Sequence, residues 1–155
     1  MTSDPQPQVV QIDPVELAVI REVVPMDAMT EFYDRSYAAL AEAVPQQGRA
    51  LVGPAYGVTF SMPTDTIDLA AGFPVDRPVT ADGVVSPLTL PGGRAVRYAH
   101  HGSYDGLGDA YGRLFAWIDG QGLTPGPLMW EVYVTEPSPE ADPDSMVTEL
   151  TVTLA

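Results

Sequence analysis

Leu128-Met129-Trp130-Glu131-Val132-Tyr133-Val134-Thr135-Glu136 reads as a strand that carries an acid among apolar and aromatic neighbours. Side chains alternate along a strand. Leu128, Trp130, Val132 and Val134 therefore share one face, and Met129, Glu131, Tyr133 and Thr135 the other. If the second face is covered, the Glu131 carboxylate loses water and needs a cation, a hydrogen-bond donor or a proton. If it is open, Glu131 belongs to the wet side of a half-exposed strand.

The strand has a counterpart earlier in the chain. Reading outward from it, the order strand, strand, helix, Gly-Pro turn, strand, loop, strand occurs twice. Tyr37 and Leu40 fall where Tyr111 and Leu114 fall, Gly53-Pro54 falls where Gly126-Pro127 falls, and Tyr56-Gly57-Val58 lies opposite Trp130-Glu131-Val132. Glu131 thus stands where the first copy has Gly57. Two β-β-α-β-β repeats, each too small to bury its own apolar face, imply an α+β fold. The expectation is one mainly antiparallel sheet and two helices about a pseudo-twofold axis, with a ligand cleft at the seam. The repeats run from about 9 to 80 and from about 84 to 155, in a single domain 9–155 after a disordered lead, Met1 to Gln8.

Individual elements follow from pattern. Strands are expected at Val9–Ile12, Leu17–Val24, Tyr56–Ser61, Thr66–Gly72, Val84–Leu90, Ala95–His100 and Met146–Leu154. Asp27 is the expected cap of a first helix whose stripe is Met29, Phe32, Tyr33, Ser36, Tyr37, Leu40, Ala41 and Val44, with Pro45 ending it. Ser103 or Asp105 opens a second, with Leu107, Ala110, Tyr111, Leu114, Phe115 and Ile118 on its core face and Gly120 and Gly122 closing it. Phe73 to Pro78 and Pro125-Gly126-Pro127 read as loop and turn, and Pro137 to Ser145 as an acidic loop.

Composition removes several chemistries. With 155 residues and no cysteine, the chain needs no disulfides and has no thiolate metal site or cysteine nucleophile. Its 7 basic residues are all arginine, which removes lysine Schiff-base chemistry. A net charge of −14 argues against a nucleic-acid surface and favours cationic visitors. The N-terminal residues show no signal-peptide pattern and no run reaches membrane-spanning length, so the expectation is a cytoplasmic protein without membrane contact. His100 and His101 are adjacent and point to opposite faces, so they do not chelate one metal together. Glu140, Asp142 and Asp144 lack calcium-loop spacing. No metal and no cofactor is expected.

The run Tyr98-Ala99-His100-His101-Gly102-Ser103-Tyr104-Asp105-Gly106-Leu107, followed by Tyr111, Leu114, Trp117-Ile118, Gly122, Gly126-Pro127, Trp130-Glu131-Val132-Tyr133-Val134 and Pro137, resembles the GyrI-like small-molecule-binding domain. Gly72-Phe73-Pro74-Val75 is similar to that family's mid-chain segment. These domains serve as effector-binding modules of MerR- and AraC-type multidrug regulators and also stand alone. The resemblance implies that Glu131 lies at the bottom of an aromatic cleft and meets lipophilic cations. Only about eight residues precede the first strand, so a standalone form without a helix-turn-helix domain is expected. Candidate lining residues are Met129, Trp130 and Tyr133, Tyr56 and Phe60, and Tyr33, Tyr37, Tyr104 and Tyr111, with Trp130 on the strand face opposite Glu131. The implied function is binding of hydrophobic, often cationic small molecules, for sensing or sequestration. The alternative is hydrolysis of strained, cyclopropane-bearing toxins, with Glu131 activating water and Tyr104 or Tyr133 protonating the leaving atom.

Overall fold

Apolar residues spaced three and four apart cannot be buried by a lone helix, and both helical stripes of this chain close onto strands. In the computed structural model, the residues described are 6–60, 64–102, 106–134 and 146–155. The elements are β1 (Gln8–Ile12), β2 (Val15–Pro25), α1 (Met29–Gln46), β3 (Tyr56–Thr59), β4 (Thr66–Pro74), β5 (Ser86–Leu90), β6 (Gly93–His101), α2 (Leu107–Gly120), β7 (Pro125–Tyr133) and β8 (Val147–Leu154). The fold is α+β, and the β-β-α-β-β order does occur twice.

Pairing, however, exchanges the leading strands. β1 pairs antiparallel with β6 of the second half, and β5 pairs antiparallel with β2 of the first. The chain accordingly forms two compact units, Asp13–Gly92, and Met1–Ile12 with Gly93–Ala155. Within the first, the strands run in the order β3-β4-β2-β5; within the second, β1-β6-β8-β7.

In the Asp13–Gly92 unit, α1 buries Phe32, Ser36, Leu40 and Val44, one residue per turn. Phe32, Leu40 and Val44 pack with Ala18, Ile20 and Val24 of β2 and Ile67, Leu69 and Ala71 of β4. Full burial of each such leucine or phenylalanine is worth ~1.5–3 kcal/mol. In the other unit Ala110, Leu114 and Ile118 of α2 meet Val96 and Tyr98 of β6 and Leu150 and Val152 of β8. Both helices stop in the same way. Gly48 (φ 71°) and Gly122 (φ 70°) are left-handed. Their amides donate to Pro45 O (3.0 Å) and Asp119 O (3.0 Å), and the next amides, of Arg49 and Leu123, donate to Val44 O (3.2 Å) and Ile118 O (3.1 Å). This is the Schellman arrangement, in which a glycine supplies the positive φ.

Several boundaries differ from the pattern-based ones. Met26–Ala28 forms a 3-10 turn, so α1 starts two residues after Asp27 and no side chain caps it. Pro45 sits inside the last turn instead of ending the helix, because the Schellman bonds hold that turn. Phe73 and Pro74 continue β4 opposite Ala18 and Leu17. Pro125-Gly126-Pro127 begins β7 instead of forming a separate turn, with the register shifting between Pro125 and Met129. Thr153 accommodates that irregularity: its hydroxyl donates to Leu128 O (2.7 Å). Gln8 is already in β1. Residues 1–5 of the expected lead, Ser61, the helix-opening Ser103 and Asp105, Thr135, Glu136 and the acidic loop Pro137 to Ser145 lie outside the described residues. No helix among the described residues is long and apolar enough to cross a membrane.

Candidate functional site

Strand register determines what surrounds Glu131. Directly opposed residues of antiparallel strands project to the same side. Met129 faces Val152 and Glu131 faces Leu150, and Val152 and Leu150 belong to the core under α2. Glu131 is therefore on the helix-covered side. Extending the register to β6 gives three rows there: Val96, Val152 and Met129; Tyr98, Leu150 and Glu131; His100, Thr148 and Tyr133. Trp130 and Val132 point to the opposite face, where both are buried.

The Tyr133 hydroxyl donates to Glu131 Oε2 at 3.3 Å, a long bond between side chains two residues apart on one strand face. Ion pairs among the described residues lie elsewhere: Arg21–Asp68, Arg35–Glu22, Arg77–Asp76 and Arg97–Glu149. Arg113, on α2, donates from Nε to the Tyr98 hydroxyl (3.1 Å) in the same row as Glu131. Loss of water pushes the Glu131 carboxyl up to about 7, and the single Tyr133 hydroxyl lowers it only in part. Such a carboxyl exchanges its proton near neutral pH, and a neighbouring positive charge favours its ionised form.

His100 is buried next to this site and His101 is exposed on the other face. The His100 ring has room because residue 106 is glycine: a Cβ there would lie 2.9 Å from its Cε1. Thr148, between His100 and Tyr133, is fully buried, and its hydroxyl has no hydrogen-bond partner. Among the described residues no cluster of three His, Asp or Glu is placed to hold a metal.

The candidates named from the sequence divide among separate places. Met129, Glu131 and Tyr133 share the α2-covered face, and Tyr111 packs against the same core, its ring 6.3 Å from Phe115. Tyr104 lies outside the described residues. Tyr33 and Tyr37 belong to the Asp13–Gly92 unit, where their rings stack at 5.6 Å and Tyr37 meets the edge of Phe73 at 5.3 Å. The Tyr37 hydroxyl donates to Tyr56 O (2.8 Å), which ties α1 to β3. Tyr56 opposes Gly72, whose added Cβ would strike Val19 on the sheet face away from α1; Tyr56 shares that face. Phe60 is covered by the Arg21 guanidinium at 3.7 Å, and Asp68 holds that guanidinium with bonds of 3.0 and 2.8 Å. Gly57, the counterpart of Glu131, opposes Ala71 on the α1 side. Thr148 was not a sequence candidate, since nothing in a run of threonines and valines marks one hydroxyl as sealed beside an acid.

No curated protein matches the chain. Among solved structures it is similar to the EcmrR C-terminal domain, with 22% identity and a TM-score of 0.77 over 97% of this chain and 98% of that one. Against EcmrR in its complex with DNA the identity is 21% and the TM-score 0.82 over 97% of this chain, which spans 57% of the EcmrR chain. SAV2435 bound to tetraphenylphosphonium is 12% identical with a TM-score of 0.72, covering 97% of this chain and 94% of that one. A hydrolase from Listeria innocua is 14% identical with a TM-score of 0.71, covering 98% and 93%. These likenesses concern the fold. The family model for the GyrI-like small-molecule-binding domain matches residues 5–154, and with nearly its whole length matched, the chain belongs to that family.

Proposed function

We propose that the protein binds hydrophobic, often cationic, small molecules, and that Glu131 selects for positive charge. The observation that carries this reading is the half-buried Glu131 on the α2-covered face, its carboxyl pushed up by loss of water, bonded at 3.3 Å by Tyr133 and paired with no described arginine. A delocalised lipophilic cation loses little hydration on entering such a site, and nearby aromatic faces add cation-π attraction. The fold-mate SAV2435 was seen with tetraphenylphosphonium, a ligand of this class. An acidic chain of net charge −14 concentrates such cations near its surface. Sensing and sequestration both use this binding step.

The test is calorimetric, with methyltriphenylphosphonium and its neutral near-isostere triphenylphosphine oxide, at pH 8 where Glu131 is ionised. Glu131→Gln lowers affinity for the cation by at least about tenfold, ~1.4 kcal/mol, and changes affinity for the oxide by less than about twofold. Equal weakening of both ligands would remove the charge role.

A second reading, hydrolysis of a strained electrophile such as a cyclopropane, draws on the same pair. A carboxyl near 7 is matched to general-base work at neutral pH, and the Tyr133 hydroxyl 3.3 Å away is placed to protonate a leaving atom. A fold-mate from Listeria innocua is described as a hydrolase. Recovery of a cyclopropane ligand with one water added, lost in Glu131→Gln, would establish this reading; intact recovery leaves binding alone.

A further inference from the structure

Resting on the binding role of Glu131, we infer that Thr148 forms a hydrogen-bonding subsite beside it, so that the preferred ligand is a lipophilic cation carrying a hydroxyl or similar polar group. Three observations meet here. Thr148 is fully buried on the α2-covered face, yet its hydroxyl has no hydrogen-bond partner. Its neighbours across the sheet are polar as well, His100 on β6 and Tyr133 on β7, so this row departs from the apolar Val96, Val152 and Met129 row two residues away. Glu131 is its diagonal neighbour, because Glu131 opposes Leu150 and Thr148 is two residues before Leu150.

A buried hydroxyl without a partner is a cost that a valine of the same shape would not carry. A ligand group that reaches it recovers that cost. Access and charge pairing are linked through Tyr133, which opposes Thr148 and is tethered to Glu131 by the long 3.3 Å bond. A cation that pairs with Glu131 competes for the oxygen that accepts this bond. Diagonal positions on a sheet are ~7–8 Å apart, so with the ion pair and the hydrogen bond at its two ends the ligand's charge and its polar group are separated by about four bonds. Tetraphenylphosphonium satisfies the carboxylate and leaves Thr148 unmet.

The discriminating pair is butyltriphenylphosphonium and 3-hydroxypropyltriphenylphosphonium, which differ by a methyl against a hydroxyl at the chain end. Their binding is measured to wild type, Thr148→Val and Thr148→Ser. Relative to Thr148→Val, wild type is expected to favour the hydroxypropyl cation by about fivefold more, the worth of one net hydrogen bond. Thr148→Ser keeps the wild-type preference, and Thr148→Val melts no lower than wild type without ligand. Binding of both cations with the same ratio in all three proteins overturns the subsite and spares the cation site. Failure of both cations to bind wild type overturns the two together. A Thr148→Val protein that melts lower without ligand shows a satisfied structural hydroxyl and also overturns the subsite.

Discussion

At the scale of the residue, Glu131 couples charge, protons and ligand. In the folded chain its carboxyl is pushed up to about 7 from the ordinary 4.5, because burial penalises the ionised form. Between those two values the folded chain holds a proton that the unfolded chain has released, so stability is highest below about 4.5 and declines as pH rises towards 7. A shift of this size corresponds to at most about 3 kcal/mol. The expected outcome is that urea unfolding of wild type loses stability from pH 5 to pH 8, while Glu131→Gln loses less; parallel curves would contradict it. Asp68 and Asp76 do not confuse the comparison. Arg21 holds the Asp68 carboxyl below its usual range, and the Ala50 amide does the same for Asp76, so their stabilisation is lost only as pH falls through those lowered values. For the ligand the sign reverses: a lipophilic cation meets a protonated site below about 7, and its affinity falls about tenfold per pH unit there, with a proton released on binding. Calorimetry in buffers of different ionisation enthalpy reads that proton directly. The acid itself was legible in the sequence, since a glutamate between Trp130 and Val132 breaks a strand pattern. Its loss of water was not, because burial depends on what packs against the face.

At the scale of the element, the helix ends carry a testable equality. Gly48 and Gly122 have nearly the same positive φ, and neither would place a Cβ within 4 Å of another group. Only the backbone resists a side chain there. Gly48→Ala and Gly122→Ala should each cost about 1 kcal/mol. Being in separate units, they should also be additive in the double variant, as chemical denaturation would show. Gly72 differs: its added Cβ would lie 2.7 Å from Val19 Cγ1 and 3.1 Å from Ala18 O, so Gly72→Ala should cost more, ~2 kcal/mol. Both helical stripes were readable as periodicity, and the closing Gly122 as a glycine after the last apolar turn. The starts were less readable, because a 3-10 turn at Met26–Ala28 displaces the first helix from Asp27. Pro125-Gly126-Pro127 carries turn residues, yet its backbone joins β7, where Thr153 supplies side-chain bonds to Leu128 at an irregular point of the ladder.

At the scale of the whole molecule, the exchanged strands make β1 part of the unit that contains the end of the chain. Removing residues 1–12 leaves β6 without β1, while β2, β4 and β5 keep their pairings. Hydrogen exchange should therefore accelerate at β6 amides and remain slow in β2 and β4; uniform acceleration would mean that the two units unfold as one. What the sequence determined alone was local or compositional: two copies of one element order, two helical stripes, the absence of cysteine and lysine, and an acid on an apolar strand. These follow from side-chain period, backbone freedom and charge, which each short stretch carries within itself. The residues of a short motif were also enough to point to the family. Tertiary structure decided which strand lies beside which, and with it that β1 and β5 cross between halves, that Tyr56 and Phe60 share a face with Val19 and Arg21, and that His100, Thr148 and Tyr133 form one row next to Glu131. Pairing between distant segments is a choice among many registers of similar local merit, settled only when all the apolar faces are buried together.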